Sequence, residues 1–592
     1  MMRCFPLLAL LPLLAAGSAA RGAEVDRSPV DVLLGPADAW VLTVNQGSSS
    51  VSLLDTADGR VLAETPVGER PAQAALLGDG ETVLVTGGFA GDVTILRVAA
   101  GKIEKLGSMH LGFEPCGIVT APGGTTAWVA LTASGEIVQI DPAERKILQR
   151  LTVGQWPRYL AITEAGDRLA VGVSGDRTVA IVDPREPKVL FTVPKFRGLN
   201  IGHMDLPGDG FVYFPWLYYG ENIPSPGNIR RGWVLGNRVG RAKLEEPELR
   251  AAFSLDKEGE AVGDAHGLAF SPNRHWLAVT AGGTHELLLF RNDEGLEYHK
   301  VGGTEHIDPA LLADRERFSR IELGGRPLGV RIAGDSRTAY VANYLYNSVQ
   351  VVDLQERRVK QEVHLGGEVE ASLARRGEAL FYDADRSFDQ WYSCHSCHFD
   401  GGSAAETFDT LNDGSQYTFK TSPALYDLPR TGPWTWHGWQ TDLHDAMQHS
   451  FTKTMVGEAP TTAEADAILE FFAQLKRPPN PFRTAEGGIS EAAQRGEKLF
   501  RGAAACIDCH NGPQFTDGEV HDVGTGDRND RYRGFNTPSL LGVYSKVRLL
   551  HDGRARSLDA LLEGPHAPEK VNGSRALTAE ERADLVEYLK TL

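Results

Sequence analysis

Through the first two thirds of the chain, short apolar runs alternate with Gly- and Asp-rich turns. One unit recurs: a Gly-x-x-Pro-like turn, a short strand, a Gly/Asp turn, a second strand, another turn and a third strand. Trp40–Asn45, Thr82–Thr86, Ala127–Ala130, Arg168–Val171, Phe211–Phe214, Trp276–Val279 and Ala339–Asn343 occupy the same place in successive units. Third strands close on an acid, at Asp55, Asp141, Asp183 and Asp353. The middle strands near 40, 83, 127 and 169 give a period of about 43. A period near 40 with about four strands per unit is the signature of a β-propeller. Seven units over residues 28–365 predict an all-β seven-bladed propeller. Two insertions, Leu217 to Glu245 and His299 to Phe318, account for the surplus length.

The pattern then turns helical and duplicates. Arg376-Gly377-Glu378-Ala379-Leu380-Phe381 matches Arg495-Gly496-Glu497-Lys498-Leu499-Phe500, each reading as an amphipathic helix. Each is followed by Cys-x-x-Cys-His, a proline region, a His-Gly or His-Asp-Gly turn at His437 or His551, and a closing helix. Those helices are expected near Ala463 to Leu475 and Thr578 to Leu592. The fold class is thus multidomain, the propeller preceding an all-α module of two cytochrome c domains, 366–480 and 488–592. Lys476 to Pro481 is a stiff, proline-rich linker.

Composition narrows the function. Over 592 residues, 60 Lys+Arg against 78 Asp+Glu give a net charge of -18. That opposes a nucleic-acid binder or a polybasic membrane-surface protein. Residues 1–23 read as a signal peptide, with Arg3, an apolar run from Leu7 to Ala16 and small residues after it. The expected location is periplasmic or secreted, with no membrane span after signal removal. Cys4 leaves with the signal, and Cys116 is read as a small buried residue.

The remaining cysteines carry the chemistry. Cys394, Cys397, Cys506 and Cys509 form two C-x-x-C-H motifs ending in His398 and His510. Two thiols three residues apart form thioethers to haem vinyl groups, and the adjacent His reaches the iron. Zinc is the rival, but Cys397 to Cys506 is 109 positions, far beyond a compact zinc ribbon. Two covalently bound haem c groups are expected.

The propeller resembles the Tyr-Val-Thr-Asn repeat family, Tyr340-Val341-Ala342-Asn343 being its best copy. The last 225 or so residues resemble bacterial dihaem cytochrome c peroxidases and related dihaem enzymes that oxidise Trp or Tyr on partner proteins. Asn536-Thr537-Pro538-Ser539-Leu540, Phe515-Thr516-Asp517 and His551-Asp552-Gly553-Arg554-Ala555 carry that resemblance. It implies two haems close enough to exchange electrons, one reacting with hydrogen peroxide. Asp559 falls where the family carries its acid–base Glu, and an Asp is shorter.

Sixth ligands stay open. No Met follows Cys506, so the second iron must use His521, another group or none. Met455 is the candidate for the first iron and Met447 the weaker one. A thioether ligand raises the potential, so the first haem is expected high and the second low and peroxide-reactive. His521 and Asp559 are the candidate catalytic residues. His437 and His551 either shape the pockets or bind iron; Trp434, Trp436 and Trp439 either pack or relay electrons. His203 and His266, in the turns that open blades five and six, read either as a channel site or as hydrogen-bonded turn residues. Arg230, Arg231, Arg238 and Arg241 make the first insertion basic. It either docks an anion or a neighbouring domain, or is a solvated loop.

Three functions follow. The first is an exported peroxidase-like dihaem oxidoreductase with the propeller as binding platform. Its electrons come from a small cytochrome, a cupredoxin or a protein substrate. The second is a propeller-based dehydrogenase feeding the haems. The third is a non-enzymatic electron carrier. Haem cd nitrite reductases carry one C-x-x-C-H ahead of eight blades, the reverse of this order.

Overall fold

The computed structural model describes residues 25–121, 123–193, 197–247, 249–293, 295–300, 303–368, 370–484 and 486–592. The signal segment lies outside them. No helix among the described residues is long and apolar enough to cross a membrane.

Seven antiparallel sheets of four or five strands follow one another from Pro29 to His364. The runs read from sequence are each blade's second strand, from Trp40–Asn45 to Thr338–Asn343, and they are almost wholly buried. The closing acids have a local cause. Asp55, Asp141, Asp183 and Asp353 each accept a hydrogen bond from the backbone N–H two residues on, at 2.8–3.0 Å. That Asx turn aims the chain into the outer strand. The ring closes between blades seven and one, where buried Asp31 faces Arg331 at 3.5 Å.

The first insertion is narrower than the sequence suggested. Phe211–Tyr219 and Leu235–Lys243 are paired strands of blade five. Arg238 is therefore no solvated loop residue: it is 2% exposed and pairs with Asp256 at 2.9 Å. His299–Lys300 adds a fifth strand to that blade.

In the helical part, Leu373–Tyr382 packs on Thr462–Gln474, and Glu491–Arg501 on Ala579–Lys590. Both closing helices start with the same capping box, Thr461 with Glu464 and Thr578 with Glu581. The matched glycines sit at the crossings. A Cβ on Gly377 would lie 1.9 Å from the Ala467 carbonyl, and one on Gly496 2.0 Å from that of Asp584.

Propeller and first helical unit share one core, in which Leu217, Tyr219, Leu328 and Tyr344 meet Phe381, Tyr382, Trp391 and Phe472. Polar ties reinforce it. Arg375 donates to the Tyr344 carbonyl at 2.7 Å, and Glu406, 4% exposed, pairs with both Arg177 and Arg548.

Candidate functional site

Ser393 caps a single helical turn, Cys394–Cys397, in a reciprocal capping box with Ser396. The propeller holds this turn. Asp264 accepts from both serine hydroxyls, that of Ser396 at 2.6 Å, and Asn200 donates to the Ser396 carbonyl at 3.1 Å. Cys394, Cys397 and His398 open on a cavity of about 330 Å³. Burial pushes His398 down to about 4, so its imidazole is neutral and free to ligate. Met447 and Met455 line the same cavity, 8% and 2% exposed. Met455 follows a wide π turn, Ser450–Thr454, a feature that recurs at functional sites.

The second motif begins in the tight turn Cys506–Asp508. Cys506, Cys509 and His510 open on a cavity of about 170 Å³. His510 Nδ1 donates to the Phe515 carbonyl at 3.1 Å, leaving Nε2 as the ligating nitrogen. Burial pushes this imidazole too down to about 4.

His521 borders this cavity, but its Nε2 bonds Asp517 at 2.8 Å and its side chain is 40% exposed. Asp559 is exposed on the short helix Leu558–Glu563, and the structure brings it to neither cavity. The residue that sequence reasoning missed is His566. It lines the cavity, its Nδ1 is buried without a partner, and its ring centroid stands 6.3 Å from that of His510. Two imidazoles on one metal at about 2.1 Å each place their centroids roughly 6 Å apart. Burial lowers its pKa and keeps it neutral.

The two cavities share a wall. Trp436, Pro423, Asn536, Pro538 and Lys546 border both, whereas Trp434 and Trp439 border only the first. Trp436 is fixed by its indole N–H to the Thr421 carbonyl at 2.7 Å. His437 and His551 both stack on Phe535, at 4.8 and 4.0 Å. His437 is further held by the Gly534 carbonyl at 2.8 Å. Burial, then Arg477, pushes the Lys546 ammonium down to about 8, and no carboxylate lies within ion-pair distance of it among the described residues.

These residues fit haem. Paired thiols and a neutral His stand at the mouth of each mostly apolar cavity, with an unpaired cation between the two for propionates.

No family model matches the chain. It is 26% identical over 275 residues to hydrazine synthase subunit gamma of Kuenenia stuttgartiensis, covering 38% of this chain and 78% of that one. It is 29% identical over 275 residues to the methylamine utilization protein MauG of Methylorubrum extorquens, covering 36% and 76%. A cytochrome-c peroxidase, IdrP2 of a Pseudomonas species, matches at 27% over 194 residues, covering 27% and 52%. The chain is a propeller fused to a cytochrome c peroxidase-like module. Such a module carries haem and belongs to an oxidoreductase. A solved hydrazine synthase chain of K. stuttgartiensis superposes at TM-score 0.49 with 20% identity, covering 57% of this chain and 98% of that one.

Proposed function

We propose that this protein is an exported oxidoreductase with two covalently bound haems c that reduces hydrogen peroxide. Its electrons come from a small cytochrome, a cupredoxin or a protein substrate. Cys394, Cys397 and His398 hold the first haem, and Cys506, Cys509 and His510 the second. The observation that carries this reading is the common wall: two Cys-x-x-Cys-His cavities meet at one fixed indole, Trp436. Bound haem supplies one-electron transfer and an iron at which the O–O bond is broken.

The chain's own residues do the rest. Met455 would be the side chain offered to the first haem, and His566, rather than His521, the one offered to the second. In the resting protein His566 would hold the second metal, and once peroxide displaces it the freed neutral imidazole could accept the peroxide's proton and return it to the departing oxygen. Lys546 pairs with propionates, Trp436 bridges the pockets, and the propeller (28–365) presents the electron donor to the two haem domains (366–480 and 488–592).

A second reading, a non-enzymatic electron carrier, is favoured by one observation: both cavities offer a second-side ligand. Peroxide turnover by holoprotein with a reduced donor separates the two, because a carrier shows none. Cys397→Ala or Cys509→Ala lowers the pyridine-haemochrome stoichiometry from two haems to one. Unchanged stoichiometry overturns the assignment.

A further inference from the structure

A third cavity, of about 180 Å³, lies where the propeller axis meets the helical module. Blades contribute Tyr159, His203 and His266, while the module contributes His395, Asp400 and Tyr426. Its walls are basic in an acidic protein: Arg70, Arg158, Arg326 and Arg477 face only Glu114 and Asp400. Two arginines are already matched, Arg158 to Asp400 at 3.6 Å and Arg477 to Asp427 at 3.2 Å. Neither Arg70 nor Arg326 has a carboxylate within ion-pair distance among the described residues, although the charge of Asp400 acts on Arg70. Arg326, 7% exposed, lies over Tyr382 at 3.4 Å, and Arg70 over Phe89 at 5.1 Å.

His203 and His266 add polarity without charge. His203 is 3% exposed, and its Nδ1 has no hydrogen-bond partner. Tyr159 Oη and His266 Nε2 are 3.1 Å apart. Burial, followed by Arg326, holds His266 down at about 3, and burial holds His203 well below its ordinary value. Two guanidinium groups without a direct ion pair and an orphaned imidazole around one internal space are costly unless something of opposite charge fills it.

We propose that this axial cavity is a binding site for a small anion, a carboxylate or an oxyanion, held between Arg70 and Arg326. The guanidinium fork fits planar or tetrahedral oxyanions, and His203 supplies a neutral hydrogen bond. The place is not incidental. His395 stands between the two cysteines of the first haem motif, and Tyr426 borders both this cavity and the first haem cavity. An anion there sits against the loop that carries the first haem.

The test is isothermal titration calorimetry of the two-haem protein with sulfate and with formate, in buffer free of other small oxyanions. The Soret band is followed in parallel. One saturable site is expected, with an unmoved Soret band. Arg326→Gln and Arg70→Gln are each expected to weaken binding at least tenfold. Should Arg326→Gln fail to accumulate, Arg70→Gln decides alone, since that guanidinium makes no ion pair in the fold. Three results overturn the proposal: no saturable heat with either probe, affinity unchanged by the substitutions, or a Soret shift that places the anion on iron.

Discussion

Gly496→Ala is a sharp test of how the second helical unit is built. A Cβ at this position would stand 2.0 Å from the Asp584 carbonyl and 2.8 Å from the Tyr588 Cβ. Real contacts of that kind need more than 3 Å, so the two helices must separate by at least about 1 Å. The obstacle is backbone, which cannot rotate away. Overpacking of this sort costs up to about 3 kcal/mol. Ala is favoured over Gly in a helix by about 1 kcal/mol, so the net loss is about 2 kcal/mol. For a domain of this size that lowers the midpoint by about 10 °C. The assay is thermal unfolding of the haem-loaded protein, followed in the Soret region. Gly377→Ala, with a Cβ 1.9 Å from the Ala467 carbonyl, is the matched control. Its helix is also tied to the propeller through Arg375, so its loss is expected to spread to the propeller's transition. An unchanged or higher midpoint for Gly496→Ala means that helix propensity dominates and refutes the close-crossing argument.

His566→Gly is expected to turn one ferric haem from low spin to high spin, with added imidazole restoring it; an unchanged electron paramagnetic resonance spectrum removes His566 from the iron. Trp436→Phe keeps two haems per chain but slows electron exchange between them at least tenfold, measured by rapid partial reduction. His285 and Asp383 tie propeller to module at 3.3 Å. Burial alone would lower the His285 pKa, but the hydrogen bond and charge of Asp383 outweigh it and the pKa is raised. This contribution to stability is full below about pH 6.5 and is lost as pH rises through the raised folded-state value. The stability gap between wild type and His285→Gln, measured by urea unfolding, is therefore expected to be larger at pH 6 than at pH 9.

Much of the architecture is written locally. Seven buried second strands, four of them followed by a third ending in an Asx turn, specify the blades because period and turn chemistry depend only on near neighbours. The same holds for the two capping boxes and the paired Cys-x-x-Cys-His turns. Where a residue's meaning depends on distant chain, the sequence was silent or misleading. Arg238 looked like a loop cation, yet strand pairing buries it against Asp256. His521 stood near its motif in sequence, but Asp517 claims its Nε2. His566 lies 56 positions after His510, in an aperiodic stretch with no motif of its own. Only the packing of the last helices turns it toward His510.

The sequence alone determined the repeats, the duplicated helical units and the four cysteines with their histidines, because spacing along a chain sets local geometry. Tertiary structure decided what stands opposite those groups. It put Trp436 and Lys546 between the two cavities, set Asp264 of the propeller under the first motif, and surrounded the axial cavity with arginines. Those meetings depend on how separate elements pack, and no local spacing encodes them.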